Sequence, residues 1–343
     1  MTLLQEIAAS AGSRPLLAAL LCLAAAGCAV DADWPAFKRG FVEEDGRVVD
    51  TGQDRVSHSE GQGFAMILAV HHGDRPAFDR LWQWTRTRLQ VRGDSLFAWR
   101  WDPRTGATLN NASDGDLLLA WALVRAGEKW NAPGYTAAGR RIAADIRAKL
   151  LRRTAHGLVL LPALEGFDKP EGLTVNLSYW VFPALADLGR ADPSPDWAEL
   201  EKTGLEMLRY SYFGRWRLPP DWLKLGELVR PADGPAPRFG YDAVRIPLYL
   251  VWGRRESESL LRPYQEFWGQ FAGGRHLPAW ANLADDSVDS HGADAGIRAI
   301  ATMVGDWPRA SAGRLPELAE GQSYYSAVLL LLAKAALRER GEE

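Results

Sequence analysis

Stretches that are apolar on every side alternate along this chain with stretches that are apolar on one side only. Residues 64–70 form an uninterrupted apolar run. Residues 76–90 then place Phe78, Leu81, Trp82 and Leu89 on one helical face and Asp79, Arg80, Arg86 and Arg88 on the other. The pairing recurs. Residues 116–126 are apolar, and 135–151 are amphipathic with Arg140, Arg141, Asp145, Arg147 and Lys149 outward. Residues 177–188 pair with 196–209, and 243–252 with 257–271, while 293–304 and 326–337 complete the series. A short helix over 34–41 and a polar connector over 43–57 come first. Only 157–162 reads as a short strand.

A helix apolar all round belongs inside a protein, and one apolar on a single stripe faces water on its other side. Strict alternation therefore predicts two concentric layers of helices, and a closed barrel of helix pairs satisfies it. In such a barrel the inner helices run the same way and their first turns gather at one end. Polar residues at those turns then meet in one cleft, however distant in sequence. No Pro- or Gly-rich linker divides the chain, which predicts a single domain from residue 31 to 343.

The 343 residues carry a formal net charge of −3 with acids and bases interspersed, so nothing points to a nucleic-acid partner. The unusual number is 15 Trp. Indole faces stack on sugar rings as well as filling cores, so the excess favours a carbohydrate ligand. Residues 16–30, preceded by Arg14, are a small-residue apolar run that reads as the core of an export signal over residues 1–30. Both cysteines lie within that run. Ala25-Ala26-Gly27-Cys28 resembles a lipoprotein cleavage box, and ordinary cleavage after Ala24-Ala25-Ala26 is the other reading. Export to the periplasm is expected either way. The body has no cysteine pair for a disulfide or thiolate metal site, and His71-His72 reads as a helix end.

Three of the expected inner helices begin with acids. Glu60 follows Ser57 and Ser59, both N-cap candidates. Asp114 and Asp116 stand in Ala-Ser-Asp-Gly-Asp after Asn110 and Asn111, and Asp242 opens Tyr-Asp-Ala-Val-Arg at Tyr241 to Arg245. Each acid alone has a bland explanation as a cap or a partner of the helix dipole. Three at one rim would raise one another's proton affinity, which is unfavourable unless a reaction uses it. Two carboxylates with water between them are the apparatus of an inverting glycoside hydrolase.

The segments Ser59-Glu60-Gly61-Gln62-Gly63-Phe64-Ala65-Met66, Ala112-Ser113-Asp114-Gly115-Asp116 with Ala120, Ala122 and Trp130, and Tyr241-Asp242-Ala243-Val244-Arg245 resemble glycoside hydrolase family 8. Asp33-Trp34-Pro35-Ala36-Phe37, Gly46-Arg47-Val48-Val49-Asp50 and Ser323-Tyr324-Tyr325 fit its periplasmic cellulases, which accompany bacterial cellulose synthase. The resemblance implies an all-α, (α/α)6 barrel that hydrolyses β-1,4-glucan with inversion, as a monomer without cofactor or metal, alongside the synthase complex. It implies Glu60 as general acid, Asp242 as general base and Asp114 as the residue that steadies the sugar at the cleavage point. Tyr179, Tyr241, Arg245 and Asp116 are then substrate-binding, and Trp99, Trp101 and Trp180 are candidate stacking platforms, with core packing a close alternative. Two departures stand out: His58 replaces a small hydroxyl residue, and Pro247 is expected to kink the helix after Asp242. Chitosanase, xylanase or mixed-linkage glucanase activity are alternatives within the family. A glucan-binding component without turnover is an alternative outside enzymes.

Overall fold

The computed structural model describes residues 32–274 and 276–341. The expected export signal and Cys28 lie outside the described residues. Eleven helices follow in order: α1 Asp33–Phe41, α2 Ser59–His71, α3 Arg75–Arg88, α4 Ser113–Lys129, α5 Pro133–Leu150, α6 Phe182–Ala191, α7 Pro195–Tyr210, α8 Arg245–Trp252, α9 Glu258–Gly269, α10 Ala295–Gly305 and α11 Tyr324–Gly341. Helices α2, α4, α6, α8 and α11 pack in a closed ring, and α10 lies against α8 and α11. Helices α1, α3, α5, α7 and α9 cover them from outside. This is the (α/α)6 barrel, with a 3-10 turn, Ala312–Arg314, where a sixth outer helix would stand.

The layers follow from the residues. Phe64 to Val70 are buried throughout α2, and Leu117 to Val124 throughout α4. In α3 only the stripe of Ala77, Phe78, Leu81, Trp84 and Thr85 is covered. Trp84 thus takes the core position expected of Trp82, which stays half-buried. Trp121, Trp180, Phe64, Phe78 and Phe182 are among the largest fully buried side chains. Each contributes roughly 1.5–3 kcal/mol on transfer from water. Lys334 is the one buried lysine among the described residues, on apolar α11, and its Nζ lies 2.5 Å from Asp33 Oδ2 of α1. Buried charge is tolerated only when paired in this way.

Three expectations need correction. The run over 177–188 is interrupted: a 3-10 turn, Leu177–Tyr179, ends at Trp180, and α6 begins at Phe182 with Pro183 in its first turn. Pro247 does not kink a helix, because α8 starts at Arg245 and Pro247 falls in the first turn, where no intrahelical N–H is required. The N-cap of α2 is His58 rather than Ser57 or Ser59, and its side chain makes no capping bond.

Strands are more numerous than the single segment expected over 157–162. That segment appears as β5, Gly157–Leu160, paired with β4, Leu151–Thr154. The connectors over the N-terminal ends of the inner helices form further short sheets. One joins β1 Ser57–His58, β2 Arg100–Asp102 and β3 Gly106–Ala107. Another joins β6 Asp168–Lys169, β7 Gly172–Val175, β8 Leu223–Leu225 and β9 Val229–Pro231. The last pairs β10 Arg238–Phe239 with β11 Ala281–Asn282. Elements of two to four residues carry too little alternation to be read from a sequence.

Candidate active site

The first turns of the inner helices open into one cleft of about 560 Å³. Ser59 and Glu60 of α2, Asp114 of α4, Tyr179 before α6, Asp242 and Arg245 at α8, Asp294 before α10 and Tyr324 of α11 all line it. The sequence motifs bring these turns together through their glycines. A Cβ on Gly115 would collide with Ser59 Oγ and come within 2.8 Å of the Glu60 backbone nitrogen. A Cβ on Gly61 would lie 2.6 Å from Tyr324 Oη, and one on Gly63 2.6 Å from Leu118 Cβ. Such approaches exclude a side chain, so α2, α4 and α11 pack backbone to neighbour at this rim. Gln62, the other polar residue of the first motif, faces away. It accepts from the Val48 N–H at 2.6 Å and donates to Thr85 Oγ1 at 2.8 Å, pinning the 43–50 connector and α3 to α2.

Arg245 organises the cleft. Its guanidinium is buried, donates to Glu60 Oε1, and reaches Asp242 Oδ1 at 3.0 Å and Asp114 Oδ2 at 3.7 Å. Ser178 Oγ accepts from Nη2 at 3.0 Å and is itself held by Asn176 Oδ1 at 2.7 Å. One positive charge therefore serves three carboxylates. Burial pushes the Asp114 carboxyl well above the usual range, and the Glu60 charge adds to this against the pull of Arg245. Burial also pushes Asp242 up to about 7; Arg245 opposes the rise, while Asp221 and Glu60 reinforce it. Asp114 and Asp242 are thus both pushed toward the protonated form beside the same guanidinium.

The remaining residues separate. Tyr179 and Tyr241 line the cleft with the acids. Trp99 does too: it is 38% exposed, and its ring stacks on His58 at 5.7 Å and 10°. The Ser59 N–H donates to the Trp99 carbonyl at 3.0 Å, which fixes the indole beside Glu60. Trp101 and Trp180 do not fit the platform reading. Trp101 is covered by the Arg47 guanidinium at 4.7 Å and meets the edge of Trp84. Trp180 is 1% exposed, and its Nε1 donates to the Leu200 carbonyl at 2.9 Å, so it is core. Asp116 is fully buried and touches no cleft. Its carboxylate accepts from the Phe97 N–H at 2.9 Å and from Asn111 Nδ2 at 2.8 Å, anchoring the loop that carries Trp99. Burial raises its carboxyl to about 7, partly offset by those two donors. His71 ends α2 and pairs with Glu339 at 3.2 Å, and the ring of His72 stacks on Trp34.

Sequence reasoning missed Asp50, Asp294 and Asp221. The first two line the cleft from connectors with no periodic signal. Asp221 is buried behind Asp242, where Oδ1 accepts the N–H groups of Gly240, Asp242 and Ala243 at 3.0, 3.1 and 2.8 Å. Nothing in the Pro219-Pro220-Asp221-Trp222 sequence announces a turn 20 residues away.

Known proteins match this arrangement over nearly all its length. The family model for glycosyl hydrolases family 8 matches residues 11–338. A probable endoglucanase of Novacetimonas hansenii is 38% identical over 317 residues, covering 91% of this chain and 92% of its own. An endoglucanase of Cellulomonas uda is 38% identical over 79% of this chain and 76% of its own. The crystal structure of the endo-β-1,4-glucanase CMCax from Acetobacter xylinum superposes with a TM-score of 0.85 at 38% identity, covering 91% of this chain and 98% of that one. With the barrel, the acid-lined rim and these matches in agreement, the chain belongs to glycosyl hydrolase family 8.

Proposed function

We propose that this glycoside hydrolase is an endo-β-1,4-glucanase that cleaves with inversion. The observation that carries the reading is the meeting of Glu60, Asp114 and Asp242 on one guanidinium at the floor of one cleft. Glu60 gives its proton to the leaving glycosidic oxygen. Asp242 takes a proton from a water on the opposite face of the ring, and that water bonds to the anomeric carbon as the C–O bond breaks. Asp114, held 3.7 Å from the Arg245 guanidinium, faces the positive charge that develops on the sugar. Trp99 supplies a stacking surface for a neighbouring glucose. The relatives' names, among them an endo-β-1,4-glucanase, support the substrate.

The test is proton NMR of cellopentaose hydrolysis together with Glu60→Gln. The α-anomer is expected first, and Glu60→Gln is expected to lose release of reducing ends from carboxymethyl cellulose by at least about 10²-fold. A β-anomer appearing first, or a variant close to wild type, overturns the mechanism. A second reading has one observation in its favour: Asp50, Glu60, Asp114, Asp242 and Asp294 all line the cleft, a surplus of acid that suits cationic chitosan. Faster hydrolysis of chitosan than of carboxymethyl cellulose would select it. The apolar run over 16–30 supports export, and we propose that the enzyme trims glucan chains in the periplasm during cellulose synthesis.

A further inference from the structure

Asp221 does not line the cleft, yet the turn that presents Asp242 is built around it. Its Oδ1 accepts three backbone N–H groups, from Gly240, Asp242 and Ala243. Its own N–H donates to the Arg238 carbonyl at 2.8 Å, tying it to the start of the same turn. A Cβ on Gly240 would come within 2.7 Å of Oδ2, so the backbone is wrapped closely about the carboxylate. Its cationic neighbour is loose: Arg238 Nε lies 3.8 Å from Oδ2 and its side chain is 38% exposed. A carboxylate that gathers several N–H groups of one turn ahead of a helix acts as an N-cap does, except that this one comes from another segment.

We propose that Asp221 is the positioning residue for the base: it fixes the 240–243 turn so that Asp242 faces the substrate, and it sets a negative charge behind that carboxylate. The proposal rests on Asp242 being the base. The charged and titratable groups around Asp242 include Arg245 and Glu60 inside the cleft, Asp221 behind it, and the phenols of Tyr179, Tyr249 and Tyr325. Arg245 favours ionised Asp242, while Asp221 and Glu60 favour the protonated form. Removing the Asp221 charge therefore lets Asp242 ionise at lower pH.

The experiment measures kcat and KM on carboxymethyl cellulose against pH for wild type and three variants, with thermal unfolding of each. Asp221→Asn keeps an oxygen for the three N–H groups and removes the charge. Its acidic limb is expected to move down by roughly half a pH unit or more, with optimum kcat within about threefold of wild type. Asp221→Ala removes the acceptor, and kcat is expected to fall at least about tenfold with KM little changed. Asp242→Asn reports on the base itself. If it retains near wild-type turnover, the base reading fails and the proposal with it. If it is inactive while Asp221→Asn leaves the acidic limb unmoved, the proposal alone is overturned. Should Asp221→Ala not fold, the limb of Asp221→Asn decides.

Discussion

The two ends of the inner ring use the same helices for opposite purposes. At the N-terminal end, α2, α4 and α8 bring three carboxylates to one arginine, and two of the three carboxyls are pushed up. At the C-terminal end the proportion is inverted. One carboxylate, Glu339 of α11, receives Arg125 Nη2 of α4 at 3.0 Å, Trp252 Nε1 of α8 at 2.8 Å and His71 Nδ1 of α2 at 3.2 Å. Burial alone would raise Glu339, but the His71 hydrogen bond, the Arg125 charge and the Trp252 N–H outweigh it and hold the carboxyl at about 2. One end is overstocked with acid and opens into the larger cleft, and at the other the acid is satisfied by its partners. Stability is concentrated where partners outnumber the acid, and reactivity where acids outnumber the partner.

Substitutions at the two ends should therefore have crossed effects. The largest is expected for Asp114→Asn, which relieves a buried, repelled carboxylate. Turnover should fall by about 10²-fold or more while the melting temperature rises by roughly 2–4 °C for about 1 kcal/mol; calorimetry beside steady-state assays checks both. A fall in both together would break the comparison. Next comes Glu339→Gln, expected to cost about 2–3 kcal/mol at pH 7, reduced from the full linkage value for partial exposure, with turnover within a few-fold of wild type. A depressed carboxyl stabilises above its ordinary value of 4.5 and loses this as pH falls toward about 2, so urea midpoints of variant and wild type should converge in acid. The smallest effect is expected for Trp99→Ala: KM for cello-oligosaccharides rises about three- to tenfold, near 1 kcal/mol, with kcat less affected. Trp180→Phe should leave KM unmoved, since Trp180 meets only core.

The barrel was legible because its helices are long and its two layers differ in kind: α2 is apolar all round, and α3 carries a stripe. The cleft was legible because inner helices share a direction, so Glu60, Asp114 and Asp242 could be joined before any distance was known. What escaped depended on single contacts. Asp116 looks like Asp114 in sequence, yet one turns inward to hold the Phe97 and Asn111 side of its loop while the other faces Arg245. Trp99 and Trp101 stand two residues apart in one segment. Yet the first lines the cleft and the second lies under Arg47. Asp221 acts across a connector on a turn remote in sequence, where no periodicity reaches. Pro247 misled because its effect depends on where the helix begins, and that is set by the Asp221-bound turn upstream.

The missing side chain at Gly115 has a wider consequence. Because the backbone of α4 rests directly against Ser59 and Glu60, the spacing of the two helix ends that carry Glu60 and Asp114 belongs to the scaffold. Evolution or an engineer can retune what lies along the groove by exchanging connectors such as those bearing Trp99 or Asp294. That spacing cannot be widened in the same way without prising two helices apart, so under the proposed mechanism substrate range can drift while the bond-breaking geometry stays put.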